Sequence, residues 1–200
     1  PNPIDTTVFK PLGFETKSLF GLNPLKKTIL FMNADNSIYK GWKYMKECLE
    51  MLDPDKYEGL VIGNMNDSIT REIPINVVTT GFLSDNLSLT LAYNACDTFV
   101  MSSIAENYPN VILEALSCGK PCIGFPTGGI PDLIIDHENG FITHTYSSTE
   151  LVQAIENLFA DELRYKRFST QARRSALKND YSNILEMHSE IDWNKYIVEK

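Results

Sequence analysis

Short apolar runs alternate with longer amphipathic stretches along this chain. Thr28-Ile29-Leu30-Phe31-Met32, Gly59-Leu60-Val61-Ile62-Gly63 and Val77-Val78-Thr79-Thr80 predict three strands. Asp97-Thr98-Phe99-Val100-Met101, Pro121-Cys122-Ile123-Gly124-Phe125 and Gly140-Phe141-Ile142-Thr143 predict three more. Between them the period changes to that of a helix. Trp42, Met45, Leu49 and Leu52 share one face, opposite Lys43, Lys46, Glu47 and Glu50, and Pro54 stops the run. Asp85 caps a helix reaching about Asn94, and Gly128-Gly129 turns into a segment from Ile130 to Ile135. Ser147-Ser148-Thr149-Glu150 reads as a capping box before Leu151, Val152, Ile155, Leu158 and Phe159. Strands alternating with helices predict an α/β fold: a Rossmann-like parallel sheet with helices on both faces, plus a helical tail. The polar stretch 1–23 reads as an inter-domain linker and 24–160 as the α/β domain. Residues 161–200 read as C-terminal helices that pack on it or on a missing N-terminal domain.

Composition narrows the function classes. Eighteen basic against 26 acidic residues leave a net charge of −8, which argues against a nucleic-acid partner. No apolar run approaches the roughly 20 residues that span a bilayer, and no signal peptide opens the chain. Cys48, Cys96, Cys118 and Cys122 show no disulfide framework and read as buried reduced thiols of a cytosolic protein. His137, His144 and His188 lack metal-ligand spacing, so neither a metal nor a nucleophilic cysteine is expected. The chain opens at Pro1, which reads as a fragment whose upstream domain is missing.

The stretch from Ser102 to Gly119 carries the strongest chemical signal. It leaves a strand, turns through Glu106, Asn107 and Tyr108, and enters a helix after Pro109 that ends before Gly119. Ligands of open parallel sheets collect at the carboxyl ends of the strands, where this turn lies. The helix start offers N–H groups suited to an anion, and Glu106 and Glu114 offer acceptors for hydroxyl groups. Two acids also suggest a glycosidase pair, which is set by a distance that sequence spacing does not fix, and Glu114 fits a solvated surface acid as well. Lys40-Gly41 stands near the same rim, where a lysine neutralises phosphate charge; a plain surface lysine fits the dipeptide too. Gly128-Gly129 could bring backbone near a ligand or simply make a tight turn, and taken alone it reads as the turn. Asn33-Ala34-Asp35 stands where a dinucleotide-binding domain would carry its glycine fingerprint, so an NAD site is not expected.

Taken in order, several motifs converge. Pro1-Asn2-Pro3-Ile4-Asp5, Lys40-Gly41, Gly81-Phe82-Leu83 and Ala95-Cys96-Asp97-Thr98-Phe99-Val100 are followed by Glu106-x7-Glu114-Ala115-Leu116. Gly119-Lys120-Pro121, Gly128-Gly129-Ile130-Pro131-Asp132 and Asn139-Gly140 complete the set. Over residues 1 to about 160 this resembles the C-terminal, donor-binding half of GT-B-fold glycosyltransferases of family 4 (group 1). The resemblance implies sugar transfer, with retention, from a nucleotide-diphosphate sugar to an acceptor glycan or lipid-linked glycan. It implies Glu106 on the donor sugar as the catalytic position, Glu114 on the ribose hydroxyls, and Lys40 on the diphosphate. The loop through Asn107, Tyr108, Asn110 and Val111 would touch sugar and phosphate with its backbone. No cofactor or metal is implied beyond the nucleotide-sugar substrate. The missing N-terminal half would bind the acceptor, at a cytoplasmic site or peripherally at the inner membrane face. The fragment alone is then expected to be inactive.

Two positions depart from the family pattern. No arginine precedes Lys40 where the family usually carries Gly-Arg, and Tyr108-Pro109 replaces a Phe-Gly. The first leaves diphosphate binding to Lys40, the helix start or a residue elsewhere. The second removes a backbone donor. A rival reading is a regulatory or scaffolding domain that kept the fold without the chemistry. A receiver-type signalling domain would need an aspartate closing strand three, where Thr79-Thr80-Gly81 stands.

Overall fold

The computed structural model describes residues 2–32, 38–65 and 72–189. Residues 33–37, which include the Asn33-Ala34-Asp35 segment singled out above, lie outside the described residues, as do Pro1, residues 66–71 and the tail from 190. Six strands form one parallel sheet: β1 (Lys27–Met32), β2 (Tyr57–Ile62), β3 (Val77–Thr79), β4 (Thr98–Met101), β5 (Cys122–Gly124) and β6 (Gly140–Ile142). Each begins and ends within two residues of its expected bounds. The order is β3-β2-β1-β4-β5-β6, with Leu30 beside Leu60 on one side and beside Phe99 on the other. The chain therefore works outward from β1 to β3, then returns to place β4 on the far side of β1. That reversal opens a crevice between the carboxyl ends of β1 and β4.

Both faces of the sheet are buried, which is why its strands read as continuous apolar runs. Ile29, Phe31, Val61, Val100 and Ile123 point to one core, with α1 (Trp42–Met51) and α5 (Ser148–Phe159) laid over them. α1 contributes Met45, Cys48 and Leu49, and α5 contributes Leu151, Ile155 and Leu158, each set one helical stripe. Leu30, Leu60, Ile62, Phe99 and Met101 point to the other core, beneath α2 (Asn86–Ala95) and α3 (Asn110–Ser117). A short α4 (Ile130–Leu133), ending two residues before the expected Ile135, closes that side. Asp85 caps α2 as expected, its Oδ1 accepting from the Ser88 N–H at 2.8 Å. The capping box of α5 is only half formed. Ser147 accepts from the Glu150 N–H, but Glu150 turns away to the N–H groups of His144 and Thr145, which close the preceding turn. All four thiols are free and buried, and burial pushes Cys48, Cys96 and Cys118 up to about 12.

The first residues and the last helices hold one another. α6 (Glu162–Leu177) buries Phe168, Ala172 and Ala176 and packs against α3; α7 (Tyr181–Ser189) follows it. Residues 2–23 lie along this side with Ile4, Phe9 and Leu22 buried. Arg173 on α6 ties the layers together: it donates to the carbonyls of Phe9 at 2.9 Å, Ser117 at 2.7 Å and Thr6 at 3.0 Å. Arg173→Ala takes the guanidinium from three carbonyls, of which that of Phe9 keeps the Ser117 hydroxyl. It is expected to cost about 2–4 kcal/mol, read as a lower urea midpoint. An unchanged midpoint would mean that the N-terminal segment is not held by this fork.

Candidate functional site at the carboxyl edge of the sheet

Two loops build the crevice. The first leaves β1 and is described again from the 3-10 turn Ile38–Lys40; Gly41 then takes φ +67 and starts α1. The second leaves β4 through Ser102 and runs to Pro109. They are stitched together: the Ser102 hydroxyl donates to the Lys40 carbonyl at 3.1 Å, and the Ile104 N–H to the Tyr39 carbonyl at 2.8 Å. A Cβ on Gly41 would lie 1.8 Å from the Ser102 carbonyl oxygen, so only glycine admits this approach.

This stitching sets Lys40 beside Glu106. The ammonium lies 2.6 Å from Glu106 Oε1, with 38% of the lysine side chain exposed and 13% of the glutamate. Two residues 66 positions apart thus make one cation–carboxylate pair at the switch point of the sheet. Beneath it a cavity of about 130 Å³ is lined by Met32 at the end of β1, Met101, Ser102 and Ser103 at the end of β4, Val111 of α3, and Lys40. Gly128 and Gly129 close the other side of the loop. A Cβ on Gly128 would lie 1.8 Å from the Glu106 carbonyl oxygen, and the Gly129 N–H donates to the Asn107 carbonyl at 2.6 Å. What reads in sequence as a plain tight turn is the clamp on the Glu106 loop.

The start of α3 completes the rim. Pro109 is the capping residue, with φ −76 and ψ 112, and the N–H groups of Asn110 and Val111 fall in the turn where a helix has no partner for them. Asn107 and Asn110 are exposed and Tyr108 is half-buried; burial, with the charge of Asp132, pushes the Tyr108 phenol up. The Asn110 side chain accepts from Asn2 Nδ2 at 2.7 Å, a contact from the N-terminal segment that no local pattern announces. Glu114 sits one turn beyond Val111 on the same helix face. Its Oε2 accepts from the Tyr93 hydroxyl at 2.7 Å. Burial pushes the Glu114 carboxyl above the ordinary glutamate range, and the Tyr93 hydrogen bond pulls the other way.

Lys40, Glu106, Asn107, Tyr108, Asn110 and Val111 therefore meet at one edge. Glu114 reaches that edge only through the helix it shares with Val111. Tyr93 carries no signal in the sequence, and Ser102 and Ser103 open the Ser102–Gly119 stretch without a role of their own. Each sits inside an apolar run or a serine pair that looks like ordinary core or turn. A wider groove of about 660 Å³ runs along α1 past Trp42, Tyr44 and Ile104, but its acids are already engaged. Glu47 accepts from the Ser148 hydroxyl at 2.6 Å, and Glu50 pairs with Lys46 at 3.2 Å. Among the described residues, no three His, Cys, Asp or Glu side chains converge as a metal-ligand set, and no helix is long and apolar enough to cross a membrane.

Comparison with known proteins agrees with this architecture. Residues 15–175 match the family model described as glycosyl transferases group 1. The chain is 29% identical over 178 residues to N,N'-diacetylbacillosaminyl-diphospho-undecaprenol alpha-1,3-N-acetylgalactosaminyltransferase of Campylobacter jejuni, covering 87% of this chain and 47% of that protein. It thus spans about half the length of that relative. Among solved structures, the C-terminal domain of a glycosyl transferase group 1 family protein from Francisella tularensis superposes with a TM-score of 0.73 at 18% identity. That match covers 88% of this chain and 97% of that one. The Anabaena protein HepE, solved in complex with UDP-glucose, superposes with a TM-score of 0.77 at 20% identity, over 94% of this chain and 56% of that one. The six-stranded parallel sheet is the C-terminal half of a GT-B fold, and the chain belongs to the glycosyl transferases group 1 family.

Proposed function

We propose that the edge between β1 and β4 binds a nucleotide-diphosphate sugar, and that residues 24–160 are the donor-binding unit of a glycosyltransferase. The observation that carries this reading is the Lys40–Glu106 pair at the switch point, beside the start of α3. A diphosphate has two demands there, a cation and unpaired N–H groups, and Lys40 and the first turn of α3 supply both. Sugar hydroxyls need acceptors, and Glu106 is a carboxylate within reach of the same loop. Glu114, one turn further on, is suited to the paired hydroxyls of a ribose. As the glycosidic bond breaks, charge builds on the leaving diphosphate. The same cation and N–H groups then hold it more tightly than they held the ground state, which lowers the barrier. The HepE complex with UDP-glucose supports a nucleotide sugar as the ligand of this fold.

Retention at the anomeric carbon and a glycan or lipid-linked acceptor belong to the same proposal. So does an acceptor-binding partner domain, with transfer needing both halves. Calorimetry of the 200-residue chain against UDP, GDP and ADP tests the core of it. One of these is expected to bind, and Glu114→Ala to weaken it by about 1–3 kcal/mol as the ribose acceptor is lost. Binding indifferent to Glu114 would return that residue to a structural role, and no binding at all would favour the scaffolding reading.

A further inference from the structure

Glu114 has a partner that lies outside the motif and deep in the core. Tyr93 on α2 is 0% exposed, its ring set edge-on between Phe9 and Phe99 with centroids 6.1 Å away on each side. For shape alone a phenylalanine would serve in that slot. A buried hydroxyl is costly unless it is hydrogen-bonded, and this one donates to Glu114 Oε2 at 2.7 Å. Among the described residues it is the one hydrogen bond made to that carboxylate, and no Lys or Arg pairs with Glu114. The other titratable groups facing the pair are Cys96 at the end of α2 and Cys118 at the end of α3, both thiols held neutral by burial.

We propose that Tyr93 is the positioning residue for Glu114: the phenol holds Oε2 and fixes the side chain, which leaves Oε1 as the acceptor for a ligand's paired hydroxyls. This rests on the reading of Glu114 as a ribose contact. The hydroxyl also favours the ionised carboxylate against the burial that opposes it. Removing it therefore has a sign. The carboxyl holds its proton to higher pH, and a protonated Glu114 is the poorer acceptor, so binding is lost at higher pH as the solution is acidified. Phe9 belongs to the N-terminal segment, so the packing that holds the tyrosine ring also draws on residues preceding β1.

The test uses Tyr93→Phe, which keeps the ring and its packing. Carbon-detected NMR titration of the glutamate carboxyls, with Glu114 assigned through Glu114→Gln, is read without ligand. Calorimetry with UDP, GDP and ADP is then run from about pH 5 to pH 8. The Glu114 midpoint is expected to rise by about one unit, with binding near neutrality roughly ten-fold weaker and its acid limb moved up by the same amount. A midpoint and an acid limb that stay where they are would overturn the proposal. A midpoint that rises while Glu114→Gln leaves nucleotide binding untouched would instead overturn the ribose reading on which it rests.

Discussion

Gly128→Ala is expected to destabilise the fold by about 2–5 kcal/mol and to abolish nucleotide binding with it. Two penalties add. Gly128 holds φ +53, a left-handed conformation that costs an alanine about 1–2 kcal/mol. Its new methyl would also stand 1.8 Å from the Glu106 carbonyl oxygen, and that neighbour is backbone, which cannot rotate aside. The loop must move, and with it the start of α3, whose N–H groups the proposed diphosphate needs. Gly21 provides the control, since it holds φ +68 with nothing within 4 Å of a built Cβ. Gly21→Ala should therefore show the conformational penalty alone. At roughly 2–4 °C per kcal/mol for a chain of this size, thermal melts separate the two variants. Equal losses would mean that the loop yields to the methyl and that Gly128 is no clamp.

The clamp marks the boundary between what was legible in the chain and what was not. Strand positions were legible because parallel strands buried on both faces leave unbroken apolar runs such as Thr28-Ile29-Leu30-Phe31-Met32. α3 was legible because Pro109 and Gly119 punctuate it, and Gly119 indeed takes φ +73 just past its end. The pairing of Lys40 with Glu106 was not written in any local pattern. Their nearness follows from sheet order, which brings the ends of β1 and β4 together; strand ends alone put both residues near one rim, and the motif resemblance added a shared ligand.

The same physics hid Tyr93 and the N-terminal segment. Tyr93 lies within Leu89-Thr90-Leu91-Ala92-Tyr93, where an aromatic on a helix looks like core, and core it is, apart from one hydroxyl. Residues 1–23 read as a linker because they are rich in Pro, Asn and Thr, and Ile4, Phe9 and Leu22 stand too far apart to make a period. They are nevertheless buried, in the same core as residues of α2, α3 and α6. Segments pinned at scattered points by Arg173 and by the bond from Asn2 to Asn110 leave no trace in hydrophobic spacing.

Lys40→Gln is expected to weaken a nucleoside diphosphate about ten- to a hundred-fold and to leave the affinity for the bare nucleoside unchanged. The lysine side chain is 38% exposed, and an ion pair at such a surface contributes at most about 1 kcal/mol to the fold, so the melting temperature should hardly move. At the proposed donor site the loss falls on the ligand, because two anions would face one cation: the Glu106 carboxylate, which stays, and the phosphates, which arrive. For the same reason Glu106→Gln should act in the opposite direction on the diphosphate alone. It removes the competing carboxylate, so the diphosphate binds more tightly, while the nucleotide sugar loses its hydroxyl acceptor and gains less. Both effects should shrink as salt rises and the Debye length falls below about 10 Å. Calorimetry with diphosphate, nucleoside and nucleotide sugar at two salt concentrations reads all of them. A Lys40→Gln chain that melts earlier yet keeps its preference for diphosphate over nucleoside would make the pair a strut between two loops and nothing more.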